Sequence, residues 1–202
     1  MKKRFLSAIR KSIKNQYPTY SEDKLDEIMY GVEGIYLTIS KTIIIFAIAF
    51  LLGIAKELFF LLLAFNFIRL FAFGMHADRS WICLIFSSSL FIFGTFLCKY
   101  SYISNELFYI LYIIALIIIC LYSPADTIKR PLINKKKRIR FKVFSILITL
   151  IYFIITLFTT SILIKNCLII GLLIECILII PSTYKIFNMP YMNYKKYGLN
   201  TK

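Results

Sequence analysis

Long apolar runs separated by short polar breaks set the pattern of this chain. Six apolar stretches, at about 35–55, 58–73, 82–98, 107–122, 143–164 and 167–184, follow one another with few charges inside them. Several approach the ~20 residues that an α-helix needs to cross the hydrocarbon of a bilayer. Ahead of them, apolar positions Phe5, Ile9, Ile13, Leu25, Ile28 and Met29 recur among mixed charges at roughly the spacing of one helical face. That pattern predicts helices lying on a membrane surface. Six apolar helices in so short a chain leave too little polar surface to enclose them as a water-soluble core. The expected fold is therefore all-α and polytopic, with about six transmembrane helices preceded by amphipathic N-terminal interfacial helices. The expected divisions are an interfacial segment over 1–34, a six-span membrane domain holding the chemistry over 35–187, and a basic cytoplasmic tail over 188–202.

Composition adds orientation to that picture. The 202 residues are 59% hydrophobic and 17% aromatic, with a net charge of +15. Such a charge can signal nucleic-acid binding, but here the cations gather between apolar runs instead of covering a polar folded surface, which argues against nucleic acid as a partner. Of the 25 Lys and Arg residues, only Lys56, Lys99 and Lys165 fall on one side of the spans, while Lys41 and Arg69 lie inside apolar runs. All the others share the opposite side, so the excess of cations on the cytoplasmic face predicts that both termini are cytoplasmic. The connection from Gly74 to Trp81 then lies at that face, beside the N-terminal segment and the basic stretch Lys129–Lys142. The same stretch suits anionic lipid, a peptide, or both. Met1–Pro18 has a basic start but no continuous apolar core and no small-residue cleavage site, so it does not read as a removable signal peptide.

Candidate chemistry concentrates in that connection. His76, the only histidine, and Cys83 lie within fifteen residues of Arg69, Asp78 and Arg79 in a chain that is otherwise mostly aliphatic. A thiolate is a strong nucleophile, and a neighbouring imidazole can take the thiol proton and return it to a leaving amine. Seven residues of unbroken helix would set the two side chains about 10 Å apart along the axis, beyond hydrogen-bond reach. A break between them is therefore required, and Gly74 with the polar run His76–Ser80 supplies one. Spacing alone leaves a plainer alternative, in which Cys83 is a small membrane-helix residue and His76 an interfacial side chain. The other cysteines, Cys98, Cys120, Cys167 and Cys176, all lie in or beside apolar runs, with neither metal-ligand spacing nor a disulfide pattern. No metal or cofactor is expected.

The remaining charges each carry two readings. Arg69 inside an apolar run either positions a substrate carbonyl or carboxylate, or extends its head group to the interface. Glu33 before the first span and Glu175 within the last are each available to pair with Arg69, and structural pairing is favoured over catalysis for both. Asp78 either orients the imidazole, as a third triad member does, or is a solvated loop carboxylate. Oxyanion donors would come from backbone N–H groups near Cys83 or from Arg69 or Arg79.

Several features together resemble the accessory gene regulator protein B family, whose members are membrane cysteine endopeptidases of Gram-positive quorum sensing. They are Tyr30-Gly-Val-Glu33 ahead of a span with Lys41, then Arg69 followed by Gly74-Met-His76-Ala77 and Cys83. Tyr122-Ser-Pro124-Ala-Asp126 follows, leading to Lys129-Arg-Pro131-Leu and the basic stretch Lys135–Arg140. The resemblance covers nearly the whole chain, departing at Phe73-Gly74-Met75, where small residues or paired glycines are common in the family. It implies that Cys83 is the nucleophile and His76 its general base and acid, acting on an autoinducer propeptide. It further implies a peptidyl thioester that a substrate thiol captures as a thiolactone, or a substrate hydroxyl as a lactone. A bacterial cell-membrane location, an active site near the cytoplasmic face and a homodimer are further expectations. The alternative function class is a small multipass transporter or assembly protein without catalysis, for which Arg69 and Glu175 would mark a polar path. No inverted repeat supports it. Metal-dependent proteolysis would need several ligands at workable spacing, and the chain has one histidine and no HExxH.

Overall fold

The computed structural model describes residues 2–75, 80–127 and 131–195, excluding the side chains of residues 2, 3 and 80–83. The described chain is helical, in agreement with the expected all-α class, and divides into two compact units, one reaching Ala47 and one beginning at Ile48. Among the described residues, four helices are long and apolar enough to cross a membrane.

In the first unit, α1 (Lys2–Gln16) turns through residues 17–21 into α2 (Glu22–Leu51), which runs without interruption into the second unit. The turn is held by charge. Lys14 Nζ lies 2.9 Å from Glu22 and donates to the Tyr20 carbonyl at 3.0 Å, while Arg10 bonds both Glu22 and Asp26. These pairs are exposed, so each stabilises the hairpin weakly. The apolar face between the helices adds a tilted contact between Phe5 and Tyr36, with ring centroids 5.2 Å apart.

The second unit contains α3 (Ala55–Ala72), α4 (Ser80–Tyr100), α5 (Asn105–Tyr122), α6 (Lys135–Phe158), α7 (Ile162–Ile179) and the short α8 (Pro181–Ile186). Side chains set their starts: Ser104 accepts from Leu107 N–H, Asn134 from Lys136 and Lys137 N–H, and Ser161 from Ile164 N–H. The central element is α7, which packs against α3, α4, α5 and α6 and is buried along most of its length. The flanking helices turn residues such as Phe59, Ile113, Leu121 and Ile154 outward, the arrangement expected where lipid replaces water as solvent.

Helix-to-helix contact in such a bundle depends on close backbone approach and on polar side chains bonding across the interface. Both occur here. A Cβ on Gly171 would meet Phe65 N at 3.1 Å and Ala64 Cβ at 3.2 Å, so α3 and α7 touch main chain to main chain. Tyr152 of α6 donates to the Ala64 carbonyl at 2.6 Å, and buried Asn166 of α7 donates to the carbonyls of Cys98 and Ser101 at 3.0 and 2.9 Å. Among the described cysteines, Cys98, Cys120, Cys167 and Cys176 are free thiols.

The last two apolar stretches end earlier than the hydropathy pattern predicts. The break falls at residues 159–161, where Ser161 caps α7, and α7 stops at Ile179 before Pro181, whose missing N–H and fixed φ start α8. Hydropathy overran both boundaries because their polar residues are small and their flanks are isoleucine-rich.

Candidate active site

The helical path is broken immediately ahead of His76. α3 stops at Ala72, residues 73–75 are non-helical, and the next described helix is α4 (Ser80–Tyr100). The residues that end α3 adopt backbone conformations L-amino acids rarely occupy, Phe73 with φ 61° and Gly74 with φ 106°. At Gly74 space favours glycine as well: a Cβ would run into the Arg69 guanidinium and lie 3.1 Å from the Leu178 carbonyl.

What holds this turn is a set of contacts from distant parts of the chain. Phe73 bridges Ala125 in parallel fashion, Ala125 N–H donating to Ala72 O at 2.9 Å and Gly74 N–H to Ala125 O at 2.8 Å. Met75 N–H donates to the Leu178 carbonyl at the end of α7, at 3.0 Å. Arg69 completes the set. Its Nη1 faces the Glu175 carboxylate at 3.2 Å and its Nη2 donates to Gly74 O at 3.2 Å and Met75 O at 2.7 Å. Glu175 is fully buried, whereas the Arg69 side chain keeps 22% of its surface exposed. Glu175, one of the carboxylates suggested as partners for Arg69, is bonded to it. Glu33 is a half-buried residue of α2 in the first unit.

The segment 123–127 is itself anchored from behind. The buried Asp126 carboxylate accepts from Asn193 N–H at 2.9 Å, Tyr194 N–H at 2.8 Å and Leu132 N–H at 3.4 Å. Tyr184 of α8 donates to the Ala125 and Asp126 carbonyls at 3.3 and 3.1 Å. Burial pushes that phenol well above its ordinary range, so it remains a donor. Asp126 entered the sequence reading only as part of the motif after Tyr122, and Tyr184 not at all. Their contacts are to main-chain atoms, which carry no residue-specific signal.

Beside this framework opens a cavity of about 230 Å3, bounded by residues 121–126, by Lys135, Arg138 and Lys142 of α6, and by Tyr191 and Tyr194. Arg138 is fixed in place: its Nη1 donates to Leu132 O and Ile133 O at 2.9 and 3.2 Å, and its guanidinium stacks 3.8 Å from the Tyr194 ring centre. The cavity therefore combines the fixed positive charge of Arg138 with aromatic walls.

His76, Asp78 and Arg79 lie outside the described residues, as does the side chain of Cys83. Cys83 itself belongs to the first turn of α4, and His76 directly follows the pinned Met75 in sequence.

A family model described as Accessory gene regulator B matches residues 6–179. A putative AgrB-like protein of Clostridium acetobutylicum is 35% identical over 179 residues, covering 89% of this chain and 86% of its own length. The accessory gene regulator protein B of Staphylococcus aureus is 32% identical over 180 residues, covering 84% and 94% respectively. A putative AgrB-like protein of Listeria innocua is 29% identical over 171 residues, covering 85% and 84%. No solved structure matches the chain.

Proposed function

The chain belongs to the accessory gene regulator B family, which is linked to quorum sensing, and from that membership we propose that it is a membrane cysteine endopeptidase that processes an autoinducer propeptide. The observation that carries the proposal is the over-determined turn at Phe73–Met75. Strained backbone of this kind is retained where its surroundings fix it, and it clusters at functional sites. Here it immediately precedes the chain's one imidazole and, a helix start later, the thiol of Cys83.

In the proposed reaction the Cys83 thiol gives its proton to His76 and the sulfur attacks the scissile carbonyl. Collapse of the tetrahedral intermediate breaks the C–N bond, and His76 returns the proton to the departing amine. The first turn of α4 favours the thiolate, since a helix N-terminus carries partial positive charge. The upstream fragment remains as a thioester on Cys83. A thiol within it attacks that carbonyl, closes a thiolactone and releases the Cys83 thiolate; a substrate hydroxyl gives a lactone by the same route. Hydrolysis would waste the activated carbonyl, so the site must exclude water while holding the internal nucleophile near. An acidic segment of the propeptide is received at the cavity formed by Lys135, Arg138 and Lys142, where complementary charge accelerates encounter.

Six spans with both termini cytoplasmic, in a bacterial cell membrane, complete the reading. The site then lies at the cytoplasmic face, amid anionic lipid, and the enzyme is a homodimer. Asp78, Arg79 and Glu33 are secondary candidates for orienting the imidazole or binding substrate.

The test is co-expression with the propeptide encoded beside it, tagged at both ends. Cys83→Ala and His76→Ala are expected to abolish release of the C-terminal fragment, and Cys120→Ala, which alters a half-exposed thiol of α5, to leave it unchanged. Wild-type release by Cys83→Ala would overturn the proposal in favour of transport or assembly.

A further inference from the structure

Buried ion pairs seldom earn their place through stability alone, since well-packed apolar residues of similar volume often serve as well or better. The Arg69–Glu175 pair therefore calls for another account, and its geometry supplies one. The planar guanidinium is divided between two tasks: Nη1 is spent on the Glu175 carboxylate, and Nη2 on the carbonyls of Gly74 and Met75. A carboxylate holding one edge of the fork fixes the plane and so aims the other edge. The same helix grips the turn a second time, because Leu178, three residues beyond Glu175 and therefore one turn further along α7, accepts the Met75 N–H. Main-chain donor and main-chain acceptor of Met75 are thus both tied to α7, one directly and one through Arg69.

We propose that Glu175, acting through Arg69, is a positioning residue that fixes the main chain of Gly74 and Met75 and so sets where the next residue, His76, presents its imidazole. The inference rests on the thiol-protease reading above and adds to it a second layer of support reaching from the last long helix. Arg69, on this account, acts on the enzyme's own carbonyls.

The test uses the full-length protein reconstituted in lipid nanodiscs with the tagged propeptide. Glu175→Gln keeps the shape and removes the charge. The double variant Arg69→Met/Glu175→Met replaces the pair by an apolar one, and Arg69→Lys keeps the charge facing Glu175 but loses the second edge of the fork. All three are expected to lower kcat by roughly 30- to 100-fold, the scale on which misplacement by about 1 Å acts, with KM within about twofold of wild type. Because the chain has a single histidine, labelling histidine with 13C at Cε1 alone gives one imidazole signal. That signal is expected to shift or broaden in the variants and to stay at the wild-type position in Cys120→Ala.

Wild-type kcat together with an unmoved imidazole signal, in any one of the three that melts cooperatively, would overturn the inference and leave the pair a packing feature. The two readings fail separately. If Cys83→Ala is dead while the pair variants are fully active, only the positioning role falls; if Cys83→Ala itself cleaves, the protease reading is at fault.

Discussion

At the scale of single residues, the turn before His76 is where small changes should have large effects. Gly74→Ala puts a methyl group against Arg69 and the Leu178 carbonyl in a backbone conformation closed to alanine. It is expected to cost about 1–3 kcal/mol, read as a lower melting temperature, and to reduce propeptide cleavage at least tenfold, on the scale of lost active-site geometry. Asp126→Ala leaves the buried N–H of Asn193 and the part-buried N–H of Tyr194 without their acceptor, at a cost of roughly 2 kcal/mol. Faster amide exchange at residues 191–194 is the measurement that checks it, and unchanged protection would contradict the role given to the carboxylate. Part of this was legible beforehand. A guanidinium and a carboxylate stranded in separate apolar runs have strong reason to meet, and Arg69 and Glu175 do. The bonds through Ala125 and Leu178 were not legible, because main-chain groups are the same in every residue and only the fold decides which of them face each other.

At the scale of helices, the apolar runs reported where the elements are but not how they touch. The contact between α3 and α7 depends on Gly171, whose missing side chain lets the Phe65 amide approach. Gly171→Leu is expected to force these helices apart and destabilise the fold by about 1–3 kcal/mol or more, seen as a lower melting temperature in detergent and weaker cleavage. Tolerance of leucine there would mean that α3 and α7 can separate without harm to the site. Hydropathy located the helices of the second unit yet misjudged the junction of α6 with α7, since Thr159 to Ser161 is a weak dip in a sliding average and a strong cap in three dimensions.

For the molecule as a whole, charge distribution makes two claims. On the proposed topology, with both termini cytoplasmic, a cysteine placed in the α4–α5 connection, at residues 101–104, should react with a membrane-impermeant maleimide added to intact cells, and one at Asn134 should react only after lysis. The reverse result would invert the topology and move the site to the outer face. At the cavity of α6, replacing Lys135 and Lys142 by glutamate should weaken propeptide binding about tenfold or more at low ionic strength, and the difference should shrink as salt screens the charges. Equal binding at all salt concentrations would remove the acidic segment from that surface.

The partners of the Phe73–Met75 turn lie far along the chain: Glu175 is 106 residues after Arg69, and Asn193 is 67 residues after Asp126. During biosynthesis His76 and Cys83 therefore leave the ribosome long before the residues that brace the turn ahead of them. A nascent chain halted ahead of α7 would possess both reactive groups and no rigid frame around them. On the proposed mechanism, competence would thus arrive late, with insertion of the final long helix, and incomplete chains would be unable to trap substrate as dead-end thioesters.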